Sequence, residues 1–310
     1  MELGFLYAGQ GSQFAGMGKD LYQEYEEFRK VFDSVKLDFD LKAMCFEDDG
    51  QLLSQTQYTQ PCMVAFAIGV TNILRQKGII PRAVAGLSLG EYSALQAAGV
   101  FAPKEAIELV AFRGKAMQKA CQGISCGMAA VLSLGREALE KVCKEASKLG
   151  VVCIANYNCP GQLVIGGETA ALEEACSLAK AAGAKRCMPL QVSGAFHTPL
   201  MAPAAKALEE YFKTINFGQM HIPVYFNCLG STKTADDGIA QLLQKQVQSG
   251  VRMEDTIRAM AEDGIDTIVE IGPGKVLSGF VRKTCPELTV LNIQTAEDIR
   301  RVIAELSVNP

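Results

Sequence analysis

Three short apolar stretches, GFLYA (4–8), AVAG (83–86) and TIVEIG (267–272), each end at a glycine-bearing turn that leads into a segment of helical period. Strands that feed helices in this way predict a parallel sheet with helices on its faces, because their neighbours are reached through crossovers and not through hairpins.

The middle of the chain has a different rhythm. MAAVLSL (128–134), REALEKVCKEASKL (136–149), VVCIANY (151–157), GQLVIGG (161–167), TAALEEACSLAKAAG (169–183) and KRCMPLQV (185–192) alternate strand and helix periods in the order β-α-β-β-α-β. That order is the ferredoxin-like motif, with Asn158-Cys159-Pro160 as the turn between its central strands. The expected fold is therefore α/β: a large parallel-sheet domain from residues 1–123 and 191–310, and an inserted ferredoxin-like small domain at 124–190. An active site is expected at the seam between them.

Composition narrows the function. The chain has 310 residues, 49% hydrophobic and 21% charged, which is ordinary for a globular protein. A net charge of −4 without a basic run gives no electrostatic case for nucleic acid. Eleven cysteines form no C-x-x-C pair and there are two histidines, which argues against structural zinc. The odd cysteine count, and an N-terminus that enters a strand without a charged leader, predict reduced thiols in a cytoplasmic protein. The longest apolar stretch (63–74) is broken by Thr71 and Asn72 and is too short to span a bilayer.

After the strand at 83–86 comes Gly86-Leu87-Ser88-Leu89-Gly90. In a Gly-x-Ser-x-Gly turn of an α/β-hydrolase-like core, the serine is lifted clear of the sheet and the glycines allow close packing. The following amide, here that of Leu89, can face a developing oxyanion. The same residues also suit a serine N-cap between glycine turns. A serine nucleophile needs a base, and a histidine base has to be His197 or His221. His197 precedes Thr198-Pro199, a good helix start that would hold it at a loop-to-helix junction, whereas His221 reads as structural or exposed. No aspartate lies between Ser88 and His197, and most glutamates there fall on polar helix faces. The hydrolase order of serine, acid and histidine is thus broken, and something other than a carboxylate is expected to orient His197.

Arg113, on the helical segment 104–120, has Leu109, Val110, Ala116 and Met117 as its helical neighbours, so no acid pairs with it on that face. Such an arginine either packs its stem and sends its head to water, or waits as a fork for an external carboxylate or phosphate. Gly114 beside it permits a close backbone approach. The loop AGQGSQFAGMGKD (8–20) fails both nucleotide tests. Phe14 stands where a dinucleotide fingerprint needs glycine, and Gly18-Lys19 is followed by Asp20. What remains is either a plain tight turn or a second source of oxyanion donors, with the Gln10 amide best placed.

Taken together, GQGSQ (9–13), GLSLGEYSAL (86–95), RGKAMQ (113–118), ANYNCPGQLVIGG (155–167), GAFHTPLM (194–201) and EIGPGKVLSG (270–279) resemble the malonyl-CoA:acyl carrier protein transacylases of fatty acid synthesis. More distantly they resemble the acyltransferase domains of polyketide synthases. The resemblance implies an α/β core with a ferredoxin-like insertion, Ser88 as nucleophile, His197 as its base, and the Gln246 carbonyl as the group that orients His197. It further implies that Arg113 binds the malonyl carboxylate and that the Gln10 and Leu89 amides form the oxyanion hole. Malonyl-CoA and holo acyl carrier protein would be the partners, with no cofactor. Leu87 replaces the histidine common before the nucleophile, Ala8 a common proline and Met253 a frequent tryptophan, while Phe196 follows the malonyl-type pattern. The alternatives are an acyltransferase serving a polyketide synthase, a serine hydrolase of acyl esters, and a silent carrier-binding subunit. Lys185, Arg186, Lys275, Arg282 and Lys283 are candidates for meeting an acidic carrier, or simply solvated basic positions.

Overall fold

The computed structural model describes residues 1–48 and 50–308, the side chain of Val308 excepted, so Asp49 and residues 309–310 of the expected large domain lie outside the described residues. β1 (Leu3–Tyr7) leads through the glycine-rich loop to α1 (Lys19–Glu24), α2 (Glu26–Ser34), α3 (Leu41–Phe46) and the long α4 (Thr56–Gln76). Next come β2 (Ala83–Gly86), α5 (Gly90–Ala97) and α6 (Pro103–Ala120). The middle forms β3 (Cys126–Leu132), α7 (Arg136–Ala146), β4 (Val152–Cys159), β5 (Gln162–Glu168), α8 (Thr169–Ala181) and β6 (Arg186–Pro189). The chain then returns as α9 (Ala202–Phe212), the short β7 (Tyr225–Phe226) and β8 (Ser231–Thr232), α10 (Ile239–Val247) and α11 (Met253–Glu262). It finishes with β9 (Thr267–Ile271), α12 (Val276–Thr284), β10 (Thr289–Ile293) and α13 (Ala296–Val308).

The first sheet is parallel, in the order β10-β9-β1-β2. Every residue of β1, β2 and β9 is buried, so these strands read as continuous apolar runs without alternation. Tyr7 lies opposite both Gly86 and Ile271 in register. Three strands thus end at one level, and the loops beginning at Ala8, Leu87 and Gly272 gather beyond their carboxyl ends, where open α/β sheets bind ligands. Glu270 on β9 reaches past that end and accepts the Leu277 and Ser278 amides at 3.0 and 2.8 Å, capping the start of α12.

The second sheet is antiparallel, in the order β4-β5-β3-β6, and has the ferredoxin-like connectivity that the strand and helix periods predict. Its core pairs Val131, Ile154 and Ile165 on the sheet with Leu139 and Val142 of α7 and Ala171 and Ala175 of α8. The central turn lies later than expected. Asn158 and Cys159 belong to β4, and the turn is made at Pro160 and Gly161. Two register shifts, between Ile154 and Asn156 and between Tyr157 and Cys159, absorb the extra residues and bend the strand.

That bend lets β4 fasten the second sheet to the rest. Tyr157 donates its amide to the Val251 carbonyl at 2.8 Å, and Val251 donates to Ala155 at 2.9 Å. Arg136 of α7 bridges to Asp255 at 2.7 Å and Glu254 at 3.1 Å on α11. The Arg136 and Arg252 guanidinium carbons both lie over the Tyr157 ring, 4.9 and 5.4 Å from its centre.

Candidate active site

Ser88 stands on a tight turn between β2 and α5 with φ of 52°, in the left-handed region that disfavours a side chain. The turn closes only because of its glycines. A Cβ on Gly86 would sit 2.1 Å from the Gly90 carbonyl carbon, and one on Gly90 would sit 2.2 Å from the Tyr7 carbonyl oxygen. His197 also has a left-handed backbone, with φ of 61°. It is held by the helix start that follows: Thr198 caps Leu200 with its hydroxyl and Pro199 opens the turn.

These two strained residues meet. Ser88 Oγ lies 2.7 Å from His197 Nε2, and His197 Nδ1 lies 2.8 Å from the Gln246 carbonyl oxygen. A carbonyl only accepts, so Nδ1 carries the proton, Nε2 is left as acceptor, and the Ser88 hydroxyl donates to it. That is the tautomer a general base requires. Among the described residues no carboxylate bonds to His197, in line with the missing aspartate. Burial, followed by the neighbouring Arg113 charge, pushes the His197 pKa down to about 4.

Arg113 lies on the face of α6 that packs against the start of α4. A Cβ on Gly114 would be 2.8 Å from the Thr56 carbonyl oxygen, so the glycine allows the approach that turns Arg113 inward. Of the two readings of this arginine, the solvated one fails: its side chain is only 1% exposed. One terminal nitrogen donates to Ser88 Oγ at 3.2 Å and to Gln246 Oε1 at 3.1 Å, and the guanidinium carbon lies 5.0 Å from the centre of the Tyr92 ring. Its Nε has no partner among the described residues. Burial works against the charge, and Tyr92 and Glu91 work for it.

Ser88, His197 and Arg113, together with Gln10 and Leu89, line one cavity of about 240 Å³. That is below the roughly 300–1,000 Å³ of sites that hold drug-sized ligands, so it suits a short acyl group. The walls come from both sheets' surroundings: Leu87 and Phe280 on one side, Met128, Ala130 and Val164 on the other. The amides of Gln10 and Leu89 take no part in the hydrogen bonds among the described residues. His221 stays away from the site, exposed, with its amide donating to the Ala98 carbonyl at 2.8 Å.

The acyl transferase domain model matches residues 4–307. The chain belongs to this family. It is 40% identical over 308 residues to a malonyl CoA-acyl carrier protein transacylase of Bacillus subtilis, covering 98% of this chain and 97% of the relative. A solved malonyl CoA-acyl carrier protein transacylase from Clostridium perfringens superposes with a TM-score of 0.95 at 39% identity, covering 99% of this chain and 98% of that one. A solved malonyl-transacylase in complex with its holo type II polyketide synthase acyl-carrier protein matches with a TM-score of 0.94 at 35% identity, over 98% of this chain and all (100%) of that one.

The same cavity also holds polar side chains to which the sequence assigned no part in a site. Gln60 is 1% exposed and Asn158 7%, both line the cavity, and Gln60 Oε1 and Asn158 Oδ1 lack partners among the described residues. Buried orphan acceptors beside a cavity are places where a ligand N–H or a water completes the network. Asn227 accepts the Ser88 amide at 2.6 Å, and Glu91, with no exposed surface, accepts the Asn227 amide. Burial raises the Glu91 pKa to about 8, against the pull of that bond and of Arg113. Glu91 lies inside GLSLGEYSAL, but α5 is buried on all sides, so no periodicity marks it as special.

Proposed function

We propose that this chain transfers the malonyl group from malonyl-CoA to the phosphopantetheine thiol of acyl carrier protein, with Ser88 as the nucleophile in a ping-pong reaction. His197 Nε2 takes the Ser88 proton as Oγ attacks the thioester carbonyl. The oxyanion rests on the amides of Gln10 and Leu89, and CoA leaves as a thiol that takes up the proton. The carrier thiol then attacks the malonyl-Ser88 ester, with His197 as base again. The Arg113 guanidinium forks onto the malonyl carboxylate. The observation that carries the reading is this buried, under-partnered guanidinium placed 3.2 Å from Ser88 Oγ: it calls for an acyl group that ends in an acid.

The chain division we adopt, 1–123 with 191–310 as the catalytic domain and 124–190 as the insertion, leaves the cavity walled by both, which helps keep water from the ester. Lys185, Arg186, Lys275, Arg282 and Lys283 are all exposed, and Lys275 adjoins Val276 at the cavity wall, so a carrier with an acidic face is favoured there. The likeness to a malonyl-transacylase bound to a polyketide carrier keeps such a carrier as the second reading for the acceptor. No helix among the described residues is long and apolar enough to cross a membrane, and we place the reaction in the cytoplasm. The test is intact-protein mass after mixing with malonyl-CoA. A malonyl adduct that moves to holo carrier protein supports transfer, and free malonate released without any need for carrier would instead favour a hydrolase. Comparing fatty acid and polyketide carriers assigns the acceptor.

A further inference from the structure

The backbone around the nucleophile is gripped by side chains that the reaction steps above leave unused. Asn227 has no exposed surface; its Oδ1 accepts the Ser88 amide at 2.6 Å and its Nδ2 donates to the Gly86 carbonyl at 2.7 Å. Gln246, equally buried, donates from Nε2 to the Ser88 carbonyl at 2.8 Å, while its Oε1 accepts from Arg113. Behind them the Glu91 carboxyl takes the Asn227 amide and fixes that residue's own backbone. Both peptide units of Ser88 are therefore held from the side, at a residue whose φ of 52° needs outside support to persist. A trans peptide is planar, so fixing the Ser88 carbonyl also fixes the direction of the Leu89 N–H, which points the opposite way.

We propose that Asn227 and Gln246 are positioning residues, whose side-chain amides clamp the two peptide units of Ser88, keep its hydroxyl on His197, and aim the Leu89 amide at the oxyanion. The clamp never touches the substrate; it acts through Ser88 and Leu89, and on the Gln246 side also through Arg113, which its Oε1 holds. The inference rests on Ser88 being the nucleophile, as proposed above. Gln246 thereby has two separable tasks, since its backbone carbonyl orients His197 and its side chain sets the oxyanion donor.

Single-turnover malonyl loading from malonyl-CoA, followed by intact mass on the full chain, tests this with Asn227→Asp, Asn227→Ala and Gln246→Met beside Ser88→Ala. Asn227→Asp keeps the acceptor for the Ser88 amide and loses the donor to Gly86. Gln246→Met keeps the carbonyl that holds His197 and removes only the amide. In variants that melt cooperatively, the saturating loading rate should fall by about a hundredfold, the scale of a misplaced reacting group. For the Asn227 variants the half-saturating malonyl-CoA concentration should stay within about threefold of the parent. A purely structural role would lower the active fraction without changing the rate of the chains that load, and that result overturns the clamp. So do saturating rates within about threefold of the parent. If Ser88→Ala still acquires malonyl, the nucleophile reading falls and takes the clamp with it. If Ser88→Ala is inert while the clamp variants load at full rate, the clamp alone is wrong.

Discussion

Replacing Arg113 by alanine removes a buried cation facing Ser88, and its effect should depend on the acyl group. Arg113 is 1% exposed, so solvent does not screen its pairing with a carboxylate. Hydrogen bonds to charged groups contribute about 1.5–3 kcal/mol each, and a fork makes two. In the free protein the same guanidinium holds weaker neutral partners, Ser88 Oγ and Gln246 Oε1, which recover part of the cost when it moves to the substrate. A net loss of about 3 kcal/mol is expected, which is about a hundredfold in kcat/KM for malonyl loading. Acetyl loading carries no carboxylate and should change by less than about fivefold. Arg113→Lys keeps the charge without the fork and should fall between the two for malonyl. The assay is single-turnover acylation from malonyl-CoA and acetyl-CoA, read by intact mass, with a melting curve for each variant. Equal losses for both acyl groups would refute the carboxylate clamp and leave Arg113 as a brace for Gln246.

Two further outcomes follow from the buried titratable groups. His197 can accept a proton only when neutral, and burial followed by the Arg113 charge depresses it from the ordinary 6.5 to about 4. The rate of Ser88 acylation should therefore stay flat from pH 7 down to about 5 and drop below that. In Arg113→Ala the acid limb should move upward; an acid limb near 6.5 in the parent protein would contradict the burial argument. Glu91 is shifted the other way, from 4.5 to about 8, by burial. A raised carboxyl contributes stability in full below pH 4.5 and loses it as pH climbs to about 8, because the unfolded chain ionises first. Melting temperatures at pH 5 and pH 8 should show Glu91→Gln gaining on the parent by about 4 °C or more across that interval. Parallel curves for the two proteins would sink the assignment.

Much of this was legible in the chain because it is written locally. The strand, glycine turn and helix units around Gly9, Gly86 and Gly272, and the β-α-β-β-α-β run, rest on periodicity and turn chemistry within short windows. Ser88 and His197 carry their own turn and cap signals, and the inward face of Arg113 shows in its apolar helical neighbours. Asn227 carries no such signal. It follows a two-residue strand, and it reaches Ser88 only because Val224 pairs with Val84 in parallel, carrying Asn227 alongside the Ser88 turn. Gln60 sits beside Pro61 on a helix buried nearly all round, where neither polarity nor spacing separates a cavity residue from a packed one. The shift of the β4–β5 turn by two residues has the same origin, since the bulges that cause it answer to the bridge with Val251.

The most direct test of the whole account is the mass of the intact chain after brief mixing with malonyl-CoA, then with holo acyl carrier protein. The account predicts one malonyl group on Ser88, located by peptide fragmentation, absent in Ser88→Ala, and passed to the carrier thiol on the second mixing. A Ser88→Ala chain that still carries malonyl, or an adduct that goes to water at the same rate with and without the carrier, would contradict it.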